Sequence, residues 1–85
     1  MRIVGPAIRL RVAEFRCRAE KAGLITNGEI GARLGVERTT VYRILREEMA
    51  PGERFIAATL AAFPQTRFED VFEVTVPRDE AGTAA

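Results

Sequence analysis

The residues best equipped for chemistry sit in one short stretch: Arg38, Thr39, Tyr42 and Arg43. In a helix over about residues 38–46, Thr39 and Arg43 are four apart and share a face, with Arg38 beside them in the first turn. An arginine fork matches the O6 and N7 acceptors of guanine, and each good pair discriminates against the wrong base by about 1–3 kcal/mol. Tyr42, one step round the helix, suits a thymine methyl or a phosphate. Other chemistries lack their parts. The chain has no histidine, no serine and a single cysteine, Cys17, so no usual nucleophile–base pair or internal disulfide can be assembled, and almost nothing is left to hold zinc or haem. An enzyme is not expected, nor a metal, a cofactor or a small-molecule ligand. The paired acids Glu69 and Asp70 read as the negative first turn of a helix.

Local signals place helices around that stretch. Pro6 after Gly5 suits the start of a first helix near residue 7, with Ile8, Val12, Phe15, Ala19 and Ala22 as its buried stripe and Gly23 as its stop. Thr26 and Glu29 form a capping box that opens a short second helix, whose stripe is Ile30 and Leu34. Gly31 keeps one face of it flat, and Gly35 ends it by taking positive φ without steric cost. The third helix buries Val41, Ile44 and Leu45. It runs from about residue 38 to 46 or slightly further. After Ala50-Pro51-Gly52 a fourth helix spans about 53–63, carrying Phe55, Ile56, Thr59, Leu60 and Phe63. Thr66, with Glu69 at the box position, caps a fifth over 67–71. Then Phe72, Val74 and Val76 alternate with Glu73 and Thr75, the pattern of a half-buried strand.

Eighty-five residues allow one small domain. No apolar run approaches the roughly 20 residues of a membrane helix, and the arginine-studded start does not read as a secretory signal. The formal charge of +1 conceals a polarity: residues 1–46 carry ten basic side chains against four acidic ones, and residues 47–85 carry three against eight. Such a chain presents a basic surface to a polyanion and repels it elsewhere.

Residues 24–46, LITNGEIGARLGVERTTVYRILR, resemble the helix-turn-helix of the phage Cro and phage repressor proteins, the Xre group, and the likeness extends through PGERFIAATLAAFPQTRFEDVF. The resemblance implies an all-α, five-helix domain over residues 1–72, with a strand extension to about residue 77 and a tail to 85. It implies a third helix in the major groove of double-stranded DNA, with Arg38, Thr39 and Arg43, and Tyr42 next to them, at base-contacting positions. Thr26, Asn27, Arg16, Arg18 and Arg46 are expected on phosphates. The implied role is a transcriptional regulator, a repressor of phage or mobile-element type, small and actinobacterial or phage-like in character, working in the cytoplasm at the nucleoid. Glu37 departs from the family, which usually caps helix three with serine or threonine. Glu47 replaces the glycine that usually stops that helix, so an extension to residue 48 or 49 is expected.

The strand needs a partner, because a lone strand leaves its backbone groups unpaired. Residues 2–4 or the same strand of a second subunit are available. The second is expected, giving a homodimer through Phe72, Val74 and Val76 that reads an inverted repeat. The alternative function is a protein-interaction module, antitoxin-like or an adaptor, that binds its partner through this strand.

Overall fold

The computed structural model describes residues 5–76. Five helices and two strands follow in the order β1 (Ala7–Leu10), α1 (Val12–Lys21), α2 (Asn27–Leu34), α3 (Arg38–Leu45), α4 (Glu53–Ala62), α5 (Phe68–Val71) and β2 (Phe72–Thr75). The domain is thus mostly helical, with one small antiparallel ribbon. Among the described residues, no helix is long and apolar enough to cross a membrane. The core gathers Phe15 and Ala19 of α1, Ile30 and Leu34 of α2, Val41, Ile44 and Leu45 of α3, Phe55 of α4, Phe63, and Leu10, Val71 and Phe72 at the ribbon's base. Its aromatic centre is tilted or edge-on, with Phe15 5.7 Å from Phe55 and 6.1 Å from Phe63 between ring centroids. Offset geometries of this kind suit the ring quadrupoles. Thr59 is fully buried, and its hydroxyl has no hydrogen-bond partner among the described residues.

The ribbon corrects the expected start of the first helix. Residues 7–10 are strand, and α1 begins only at Val12. Ile8 fits a helical stripe shared with Val12 and Phe15, but Ile8 and Leu10 also alternate with Ala7 and Arg9, and so short a run does not distinguish the two periods. The unsatisfied edge of β2 decides between them. Its partner is the run 7–10; the expected pairing with residues 2–4 lies outside the described residues, and no second subunit is needed to pair this edge. Ala7 pairs with Thr75, Ile8 with Val74, Arg9 with Glu73 and Leu10 with Phe72. The strand is built into the body instead of extending beyond it, and Phe72 is completely buried. That removes Phe72 from any surface. The tail from 77 onward lies outside the described residues.

Helix ends explain the remaining differences. At the end of α1, the Gly23 N–H donates to the Glu20 carbonyl at 2.9 Å and the Leu24 N–H to Ala19 at 2.8 Å, with Gly23 at φ 82°. This is a Schellman motif. The same pair of bonds closes α3: Glu47 N–H to Ile44 at 3.0 Å and Glu48 N–H to Arg43 at 2.8 Å. Glu47 takes φ 62° there, so the helix stops at Leu45 without a glycine and does not run on to residue 48 or 49. The fifth helix begins one residue later than expected. Arg67 is its N-cap, and the Arg67 N–H donates to the Asp70 carboxylate at 2.9 Å. Thr66 does not cap it, because its hydroxyl accepts from the Arg18 guanidinium at 3.1 Å.

Candidate nucleic-acid interface

The capping box at the start of α2 forms as expected. The Glu29 N–H donates to Thr26 Oγ1 at 3.1 Å, while the Glu29 carboxylate accepts from the N–H groups of Thr26 at 3.0 Å and Ile25 at 2.8 Å. Those two backbone donors hold the Glu29 carboxyl below the usual carboxylate range. They also fix where Asn27, the first residue of α2, meets α3. At the other end Gly35 turns the chain at φ 73°, and Gly31 lets α3 approach. A Cβ on Gly31 would lie 2.6 Å from the Val36 carbonyl oxygen and 3.4 Å from the Arg38 nitrogen. Two short helices are locked together at a three-residue turn by these local devices.

The outward face of α3 carries Arg38, Thr39, Tyr42 and Arg43, all exposed. Asn27, Arg38, Thr39 and Tyr42 line a shallow concavity of about 240 Å³ where the two helices meet. Arg43 stands one turn beyond Thr39. Neither Arg38 nor Arg43 makes an ion pair among the described residues, where the ion pairs belong to other arginines. Glu37, the α3 N-cap residue, makes no capping bond with its side chain.

The remaining expected contacts divide. Arg16 is exposed and without an ion pair among the described residues. Arg18 is turned away, donating to Thr66 and lying 3.8 Å from Asp70, so the expectation of a phosphate contact there does not fit its geometry. Arg46 is drawn to Glu48 at 3.0 Å, and its guanidinium lies 5.4 Å from the centre of the Tyr42 ring. The hydrogen bond to Glu48 raises its pKa above the ordinary arginine value. Thr26 Oγ1 accepts the cap bond from the Glu29 N–H, and that bond does not use its O–H donor. Val74 and Val76 are exposed at 57% and 69%.

Ion pairing sorts the charge polarity of the chain. Arg9 reaches Glu47 at 3.1 Å and Glu73 at 3.3 Å, and Arg11 reaches Glu73 at 3.4 Å. Acids of the second half thus occupy Arg9, Arg11 and Arg18, leaving Arg16 and Lys21 of α1, Arg33 of α2, Arg38 and Arg43 of α3 and Arg54 of α4 without an ion pair among the described residues. Sequence reasoning missed Arg54, which is exposed in the first turn of α4 and lines a second hollow with Glu37, Thr40 and Met49. A basic residue just inside a helix start after Pro51-Gly52 was its only signal. No family model, curated protein or solved structure matches the chain, so the site stands on its own geometry.

Proposed function

We propose that this protein is a sequence-specific double-stranded DNA-binding regulator, a repressor of the phage or mobile-element kind, with α3 as its major-groove helix in a Cro/repressor-like arrangement. One observation carries the reading: Arg38 and Arg43 stand outward with Thr39 on one exposed helix face, unpaired among the described residues, while other arginines are drawn onto acids. Guanidinium groups held off the body in this way keep their forks available for base edges. Asn27 and the first amides of α2 lie next to that face, where a phosphate would fit. The structure gives Glu37 no compensating cap, and its charge opposes a phosphate at that one position.

The test is a binding-site selection followed by substitution. Arg43→Ala is expected to relax base preference at one position, at a cost of about 1–3 kcal/mol on the preferred site. Arg16→Ala is expected to weaken all sequences alike and to reduce the salt slope by about one. An equal loss at every sequence from Arg43→Ala would refute the assignment of base reading to α3.

A further inference from the structure

Arg38, Arg43 and Arg46 stand on α3 or at its end, and among the described residues only Arg46 is held by an acid. Its Nε–H donates to the Glu48 carboxylate at 3.0 Å. The guanidinium carbon then lies 5.4 Å from the centre of the Tyr42 ring, one helical turn back. The turn that ends α3 builds this stack. Glu47 takes the left-handed conformation, and the Glu48 N–H returns to the Arg43 carbonyl at 2.8 Å. The Glu48 backbone is thereby fixed beside the last turn of the helix, where its carboxylate meets Arg46. Tyr42 for its part borders the same hollow as Asn27, Arg38 and Thr39. One aromatic ring joins the end of α3 to its outward face.

We infer that Arg46 and Glu48 are positioning residues, which hold the Tyr42 ring for contact with the C5-methyl group of a thymine, and that Arg46 is not a phosphate ligand. The inference rests on the DNA-binding reading of α3 and names what Tyr42 recognises there. Tyr42 is 47% exposed, and ordering an exposed side chain on binding costs free energy. A cation seated on the ring, and itself seated on a carboxylate, supplies that order beforehand. Dispersion contact with a single methyl group is lost across a small gap, so it gains most from a ring whose place is fixed. The phosphate role suits Arg46 poorly, because the acid that holds its guanidinium also repels a second anion from the same place.

The test uses the full chain and the duplex recovered by binding-site selection, with each thymine replaced in turn by uracil. That exchange deletes the methyl and keeps every hydrogen-bonding group. One replacement is expected to weaken the parent about fourfold, the worth of one buried methyl. Tyr42→Ala is expected to abolish this preference and Tyr42→Phe to restore it, since the ring makes the contact and the hydroxyl does not. Arg46→Ala and Glu48→Ala are each expected to reduce it to about twofold or less, and the double variant to lose no more than Arg46→Ala alone. Glu48→Ala should meanwhile bind every sequence more tightly, because it removes an anion beside the DNA. Damage to the fold would not move the two readouts in opposite directions. Tyr42 is the only tyrosine of a chain without tryptophan, so the protein's tyrosine fluorescence reports this ring alone. Its anisotropy in the DNA-free protein is expected to fall in both variants.

Unchanged anisotropy in both variants overturns the inference, as does a preference that Tyr42→Phe fails to restore. So does an Arg46→Ala protein that keeps the preference while its salt slope falls by about one, the mark of a phosphate ligand. A parent that selects a duplex yet accepts uracil at every thymine overturns the inference and leaves the DNA-binding reading standing. A parent that selects no duplex overturns both.

Discussion

Glu47 is the residue under most local strain. A non-glycine side chain in the left-handed region costs about 1–2 kcal/mol, and here it is offset in part by Arg9, in an exposed pair worth at most about 1 kcal/mol. Glu47→Gly should therefore stabilise the fold by roughly 0.5–1 kcal/mol, read as a raised urea midpoint at unchanged slope. Glu29 makes a prediction about pH. Its folded pKa lies below the unfolded value, so its contribution is present above the unfolded pKa and is lost as pH falls through the folded one. Glu29→Gln should be less stable than the parent at neutral pH, and the gap should close on acidification. A gap that is constant with pH would show that the carboxylate charge is not what stabilises the cap. The outward residues of α3 were legible because their spacing alone sets their face. Arg18 was not: its hydroxyl partner lies 48 residues further along the chain.

At the level of elements, α2 and α3 were readable because everything that shapes them is local. A cap three residues long, a glycine at the turn and a two-residue apolar stripe are all written within 20 positions. Gly31 tests the pairing of the two helices. Gly31→Ala places its methyl carbon against the Val36 backbone oxygen, which is held in the turn and cannot swing aside like a side-chain tip. The cost should be about 1–3 kcal/mol, the range for overpacking, despite alanine's better helix propensity. A neutral or stabilising result in chemical denaturation would mean that α3 sits further from α2. The ribbon was hidden for the opposite reason. Its two strands are joined only by the tertiary fold, and the alternation of Ile8 and Leu10 was masked by the helical stripe that continues into α1. The stop of α3 was missed because a glutamate can occupy a glycine position when its backbone bonds are closed by neighbours.

For the whole molecule, the charge polarity visible in the chain turns into a pattern of internal neutralisation, in which acids near the C-terminal strand hold arginines near the N-terminal one. Half of the basic side chains left without an ion pair among the described residues, Arg33, Arg38 and Arg43, lie on the helix pair, and on the proposed DNA-binding reading binding should weaken steeply with salt. The antiparallel register has a further consequence. Because Ala7 lies across from Thr75, the two ends of the folded body emerge side by side at the ribbon's tip, far along the chain yet adjacent in space. A short linker there, with a new opening at exposed Gly52 ahead of α4, should yield a circularly permuted protein with the parent's helical signal and cooperative melting. In that molecule the ribbon would become an ordinary hairpin, formed early and locally, and the packing of α4 against α2 would join segments near opposite ends of the chain.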